Sequence, residues 1–295
     1  MSAASSPTSA GPALRDRLLQ RIGLDEPPEA DAEGLRLVHR AFVSSVPYEN
    51  LTVQLGESRP LDRDELCARM TTGGRGGYCF EVNTVLRSLL EDLGFEVEGH
   101  RSIVGPRESF AEGEPTNHMA LVATTPAGEA FVVEAGRGDG FLDPLPLAGG
   151  TVRQGPFPWT IERDGDGWWV VAEHEFTSTP GYRFLDAPVE LADFEPHHQR
   201  LSCSPDSSFV KTLVIQRPQE HRITTLRART LTVNGPDVDT REILADPDRL
   251  AAVLSDHFGI DPDALGAERM ARLWGNVVAQ HEAYLQERAE QGDGA

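Results

Sequence analysis

The run Arg75-Gly76-Gly77-Tyr78-Cys79-Phe80-Glu81 constrains this chain more than any other stretch. From Phe80 onward the apolar residues Val82, Val85, Leu86, Leu89, Leu90 and Leu93 recur at helical spacing, and Gly94 supplies a stop. The pattern predicts a buried amphipathic helix with Cys79 at its N-terminal edge. Unpaired N–H groups there carry partial positive charge, which favours the thiolate, the reactive form of cysteine. Gly73, Gly74, Gly76 and Gly77 allow the close approach and positive φ that an elbow presenting a nucleophile needs. A buried, inert thiol is the commoner fate of a cysteine. That reading fits Cys67 and Cys203, in ordinary helical and loop contexts, and fits Cys79 poorly.

A nucleophilic thiol needs a base within hydrogen-bond reach, and the base needs an orienting group. Of the nine histidines, His39, His257 and His281 fall in helical patterns, and His100, His174 and His221 lie among polar strand and turn residues. The adjacent His197-His198 pair has no second ligand cluster and reads as a solvated loop, so no metal is expected. His118 differs, because it opens a strand pattern over residues 118–123. Pro126-Ala127-Gly128 makes a turn, and residues 130–135 read as the returning strand. A turn centred on Pro126 sets His118 directly opposite Glu134, with Cβ atoms roughly 4.5–5.5 Å apart, and a one-residue slip breaks that pairing. A carboxylate so placed fixes the imidazole tautomer and stabilises the imidazolium.

With these residues in view, the chain resembles the arylamine N-acetyltransferases over nearly its whole length. The matching pieces are Leu18-Leu19-Gln20-Arg21-Ile22-Gly23-Leu24, Val46-Pro47-Tyr48-Glu49-Asn50-Leu51, the Cys79 motif through Asn83, the His118 strand, Ser204-Pro205-Asp206-Ser207-Ser208-Phe209-Val210, and Thr225-Leu226-Arg227 through Thr230-Leu231-Thr232-Val233. The resemblance implies a Cys-His-acid enzyme that moves an acyl group from coenzyme A to an aromatic amine by a ping-pong route. It maps the nucleophile onto Cys79 and the base onto His118. It also implies an α+β fold: an N-terminal helical bundle (1–94), a central β-barrel (95–203) and a C-terminal α/β lid (204–295), with a papain-like catalytic core. Tyr48, Phe80, Gly136, Gly138 and Phe209 are expected to touch substrate, and Glu49 and Arg75 to brace the cysteine loop, as a buried ion pair or a solvated one.

Two departures from the family pattern stand out. Where the family usually has Asp-Val-Gly-Phe-Gly, this chain has Glu134-Ala135-Gly136-Arg137-Gly138. Glutamate keeps the charge and adds a methylene, so the expected triad is Cys79-His118-Glu134. Arg137 stands where the family's acceptor pocket has phenylalanine. It either reads a carboxylate or phosphate on a ligand, pairs with Asp139 or Asp143, or swings into solvent.

Composition bounds the rest. The chain has 295 residues, 39% hydrophobic content and a net charge of −20, with Lys211 its one lysine. No basic stripe suggests nucleic acid, and the acidity repels an anionic cosubstrate at long range. Coenzyme A, or an acyl chain on a carrier protein's pantetheine arm, needs local positive charge, for which Arg75, Arg137, Lys211 and Arg217 are candidates. Three cysteines without a regular framework fit a reducing cytoplasm. Residues 1–11 read as a disordered leader lacking signal-peptide features, and no apolar run approaches the ~18 residues of a membrane span.

Along the chain, helical patterns dominate to Leu93, and strands alternate with Gly/Pro/Asp turns to about Cys203. Within that stretch a hairpin is expected at Asp164-Gly165-Asp166-Gly167, with Trp168 and Trp169 supplying barrel core and one exposed ring. Strands are expected over 212–215 and 226–233, and helices over 249–258 and about 268–288, the last long enough to cover a cleft. The leading function is acyl transfer from an acyl-coenzyme A cosubstrate, with no permanently bound cofactor, through acyl-Cys79 to a small aromatic amine. The alternatives are an amide synthase joining a longer acyl chain to an aminobenzoate-type acceptor, favoured by Arg137, and a cysteine thioesterase or amidase. The sequence leaves the oligomeric state open.

Overall fold

The computed structural model describes residues 11–105, 116–164 and 167–292. The expected leader, apart from Gly11, and the tip of the hairpin at Gly165-Asp166 lie outside the described residues. The chain begins with α1 (Gly11–Arg21), α2 (Ala32–Ser45), β1 (Tyr48–Glu49), α3 (Leu51–Gln54), α4 (Arg63–Met70) and α5 (Cys79–Asp92). The Asp31 carboxylate accepts from Gly34 N at 2.8 Å and caps α2. Helix α5 is the central post of this region. Its residues from Cys79 to Val85 are all buried, and Leu86, Leu89 and Leu90 pack in one core with Leu18, Leu35 and Phe42.

Eight antiparallel strands follow: β2 (Glu96–Val104), β3 (His118–Thr124), β4 (Ala130–Val133), β5 (Leu145–Pro146), β6 (Gly150–Gln154), β7 (Phe157–Asp164), β8 (Trp168–Ala172) and β9 (Gly181–Val189). They form one sheet in the order β5-β4-β3-β2-β9-β8-β7-β6, curled around a second core of Trp159, Trp169, Val171, Tyr182 and Phe184. Among the described residues no ladder joins β5 to β6, so the sheet is barrel-like rather than a closed barrel. Gln154 bridges that gap instead. Its Oε1 accepts from Leu142 N and Asp143 N at 2.9 Å each, and its Nε2 donates to Asp143 O at 2.7 Å. Trp169 is buried as expected, whereas the half-buried Trp168 ring lies under the Arg183 guanidinium at 4.1 Å.

The remainder holds α6 (Glu195–Cys203), α7 (Ser208–Lys211), β10 (Val214–Pro218), β11 (Ile223–Arg227), β12 (Thr230–Gly235), β13 (Val238–Ile243), α8 (Pro247–Phe258), α9 (Pro262–Leu265) and α10 (Ala267–Glu290). Strand β1, from the N-terminal part, joins β10–β13 as the edge of a five-stranded sheet, with Tyr48 opposite Gln216. Three sequence expectations are corrected here. Thr212 and Leu213 precede the strand rather than opening it, and residues 226–233 turn at Ala228 (φ 48°) into two strands. The His197-His198 segment is helical rather than a solvated loop. His198 is buried, with Nδ1 2.5 Å from Tyr78 Oη and Nε2 donating to Arg59 O at 2.7 Å. Cys203 correspondingly ends α6.

Candidate active site

Cys79 is the first residue of α5, whose first backbone N–H groups precede the earliest helical bonds, those of Glu81 N and Val82 N to Tyr78 O at 2.9 and 3.0 Å. The glycine loop before it is held by Glu49, which is fully buried. Glu49 Oε1 accepts from Arg75 Nε at 2.8 Å and from Gly76 N at 3.2 Å, and Oε2 accepts from Leu51 N at 2.5 Å. Burial disfavours the Glu49 charge, but Arg75 and Arg69 outweigh it and hold the carboxyl below its ordinary range. The two motif residues therefore form the buried ion pair.

The hairpin register differs from the expected one by two residues. Leu121 faces Val133 and Thr124 faces Ala130, so the turn centres on Ala127. Carried one step on, that register sets Glu134 across from Ala120 and diagonal to His118. A two-residue shift preserves which face a side chain occupies, so the pair still meets. His118 Nε2 lies 2.7 Å from Glu134 Oε2, with both side chains buried. The longer side chain suits the longer diagonal reach.

Three further groups fix Glu134, a role the sequence pattern assigned to none of them. Asn83, one helical turn beyond Cys79, donates from Nδ2 to Glu134 Oε1 at 2.8 Å and to Met119 O at 2.7 Å. Its Oδ1 accepts from Ala135 N and Gly136 N at 3.0 Å each. Gly136 N also donates to Glu134 Oε1 at 2.6 Å, and Glu134 N donates to His39 Nε2 at 2.9 Å. Gly136 must be glycine because a Cβ there would sit 2.7 Å from Cys79 Cα. At Gly138 the same atom would sit 2.5 Å from Gln216 Cβ and 2.6 Å from Tyr48 Cβ.

Cys79 and His118 open onto one cavity of about 480 Å³. Tyr48, Asn117, Gly136, Arg137, Gly138, Thr179 and Phe209 line it as well. Phe80 does not. One step along a helix turns a side chain by about 100°, and Phe80 instead packs in the core against Phe194 and His198. The Cys79 thiol is 3.8 Å from Asn117 O. Burial, then the Glu134 charge, push that thiol well above the ordinary range, with the Phe80 N–H and Arg137 opposing. That direction opposes the thiolate that a helix N-terminus favours.

Arg137 adopts the paired alternative, with a principal partner that the sequence reading did not name. Its Nε donates to Glu173 Oε1 at 3.1 Å, and Nη2 donates to Glu173 Oε2 and Thr179 Oγ1 at 2.7 Å each. Asp139 Oδ1 lies 3.3 Å from the same Nη2. Asp143 pairs with Arg40 at 2.5 Å instead. Of the cations proposed for a coenzyme, Arg75 and Arg137 are thus engaged, and Arg217 donates to Ser44 O and His257 O. Arg200 and Arg227 are the further cations on the cavity wall, and no residue of α10 is among its lining. Among the described residues no group of three or more His, Cys, Asp or Glu side chains is arranged to hold a metal, and no helix is long and apolar enough to cross a membrane.

Residues 31–265 match the family model described as N-acetyltransferase. An arylamine N-acetyltransferase of Mycolicibacterium smegmatis is 31% identical over 261 residues, spanning 86% of this chain and 95% of that protein. The solved M. smegmatis arylamine N-acetyltransferase superposes with a TM-score of 0.76 at 29% identity, covering 87% of this chain and 96% of that one. The Nocardia farcinica arylamine N-acetyltransferase gives 0.77 at 29% identity, covering 88% and 93%. The chain belongs to the arylamine N-acetyltransferase family and is an acetyltransferase enzyme.

Proposed function

We propose that this protein transfers an acetyl group from acetyl-coenzyme A to an aromatic amine through a thioester on Cys79. The observation that carries the reading is the 2.7 Å contact between His118 Nε2 and Glu134 Oε2 on a wall shared with Cys79. With the carboxylate accepting from Nε2–H, Nδ1 is the nitrogen that carries the lone pair. His118 Nδ1 takes the Cys79 proton as Sγ attacks the donor carbonyl. The bond to the coenzyme sulfur breaks, and the coenzyme leaves with that proton as a free thiol. The amine nitrogen then attacks the acetyl carbon of acetyl-Cys79, losing its proton to His118 as the C–Sγ bond breaks. Glu134 keeps the imidazolium favourable in both halves without itself being protonated.

The cavity wall suits such a donor. Arg200 and Arg227 supply positive charge on the wall of the cavity that Cys79 opens onto, in a chain whose net charge is −20. The rings of Tyr48 and Phe209 give the amine its apolar contacts, and Gly136 and Gly138 line the cavity without a side chain. The chemistry is tested by following coenzyme A release from acetyl-coenzyme A with and without aniline. Release that depends on aniline, with acetanilide formed in equal amount, is the expected result. Equal release without amine would make the protein a thioesterase, and no release with either would overturn the reading.

A further inference from the structure

The wall around Arg137 carries one positive and two negative groups whose side chains are largely withdrawn from solvent. The side chains of Glu173 and Asp139 are each about 1% exposed, and that of Arg137 is 10% exposed. Nε donates to Glu173, Nη2 donates to Glu173 and Thr179, and Asp139 Oδ1 lies 3.3 Å from Nη2 without a hydrogen bond. Nη1 makes no hydrogen bond among the described residues, and because Arg137 lines the cavity, Nη1 is the nitrogen with donors to spare for a ligand there. Asp139 is itself tied down, with Oδ2 accepting from Ser178 N at 2.6 Å and lying 3.4 Å from Gln216 Nε2. Arg200 and Arg227 on the same cavity wall are exposed and therefore screened by solvent, and the groups buried around the cluster carry no permanent positive charge. They are Glu134 with His118 on the 134–140 loop and β3, Tyr182 on β9, Tyr48 on β1, Cys79 on α5 and His174 beside Glu173. Burial keeps both phenols and the thiol protonated, and it pushes His174 down to about 4, so it is neutral at pH 7.

A lone arginine in this position would welcome an acceptor's carboxylate. This one is already over-neutralised: Arg137, Asp139 and Glu173 sum to −1. A third carboxylate at Nη1 would make −2 in a medium that screens poorly, and a buried like-charge pair of that kind is relieved by protonating one member. Glu173 is the member that gives way. Burial, and secondarily Asp139, push its carboxyl up to about 7 even though Arg137 opposes them. Asp139 moves the other way, because Arg137 and Ser178 outweigh its burial.

We propose that the Arg137–Asp139–Glu173 cluster is the acceptor filter of this site: an aromatic amine bearing a carboxylate enters only together with one proton, taken up by Glu173, whereas an amine bearing a neutral group enters without one. The proposal rests on the acetyl-transfer reading above and names its preferred substrates as uncharged arylamines, with aminobenzoates admitted as the pH falls.

The test is the ratio of kcat/KM for 3-aminobenzoate over aniline between pH 6 and 9, with one donor. Both amines draw on the same acyl-enzyme, so changes at Cys79 and His118 cancel in the ratio. Both amino groups stay neutral and the benzoate stays ionised throughout this range. The ratio is expected to be flat below about pH 7 and then to fall, by roughly ten-fold or more at pH 9. Glu173→Gln should give a ratio that no longer changes with pH and exceeds the parent's at pH 9. Asp139→Asn should flatten it likewise and serves if the first variant does not fold. A parent ratio that is flat or rises with pH, while both amines are acetylated, overturns the filter and leaves the acetyl-transfer reading standing. If neither amine is acetylated and Cys79 accepts no acetyl group, that reading fails and the filter with it.

Discussion

Glu134 meets His118 on a diagonal of the hairpin. The carboxylate stands one residue past the end of β4, across from Ala120, yet its Oε2 lies 2.7 Å from His118 Nε2. Its other oxygen is fixed by Asn83 Nδ2 and Gly136 N, so the side chain cannot rotate without breaking two hydrogen bonds.

That arrangement gives Glu134→Gln a specific effect. Asn83 and Gly136 both donate, so the amide oxygen must stay with them and the NH2 group must face His118. Nε2 then has to accept, and the imidazole proton moves to Nδ1, the nitrogen needed as base. Activity is expected to fall by about 10³–10⁴-fold with the fold retained, as for amide replacement in a serine triad. Glu134→Asp keeps the charge but shortens a reach that the diagonal requires. A loss of about ten- to a hundred-fold is expected from the misplacement. Steady-state kinetics with unchanged circular dichroism checks both. Parent-like turnover in Glu134→Gln would reduce the triad to a Cys-His dyad.

Asn83 is predicted to act by positioning rather than by contact with substrate. Asn83→Ala strips one donor from Glu134 Oε1 and leaves Ala135 N without its acceptor. Buried groups left unpaired cost about 1–3 kcal/mol each. Urea unfolding should therefore show a loss of roughly 2–4 kcal/mol, together with a lower kcat at little-changed KM. A raised KM with normal kcat would argue for a substrate contact instead.

Much of this was legible in the chain. The helix beginning at Cys79, the histidine strand and the acid just past the returning strand, which ends at Val133 rather than 135, follow from apolar spacing and turn residues. Their partnership survived a two-residue register error because strand faces alternate with period two. What the sequence could not give was long-range geometry. His39 reads as an ordinary helical residue, yet its Nε2 accepts from Glu134 N across the fold. Glu173, 36 residues from Arg137, carries no local signal that it will take both Nε and Nη2. The substitution of arginine for an apolar residue was visible, but the carboxylates that reverse its meaning were not. Phe80 shows the opposite limit, since a motif residue next to the thiol need not share its cavity.

The Glu49–Arg75 pair is predicted to hold the cysteine loop. Glu49→Gln is expected to destabilise the protein by about 3 kcal/mol, as for a buried ion pair losing one partner. The pH dependence follows from the sign of the shift. Because the folded carboxyl lies below its ordinary range, the contribution is complete above the unfolded value of about 4.3 and is lost as pH falls through the folded one. The stability gap between parent and Glu49→Gln should therefore be constant above about pH 5 and narrow in acid. A gap that is widest at low pH would contradict the assignment.

The central claim is that Cys79 carries the acetyl group, and intact-mass measurement after mixing with acetyl-coenzyme A in the absence of amine tests it most directly. One acetyl group per chain is predicted, mapped by peptide digestion to Cys79, absent from Cys79→Ala and discharged on adding aniline with formation of acetanilide. An acetyl group on Cys67 or Cys203, or an adduct on Cys79 that aniline does not remove, would contradict the account.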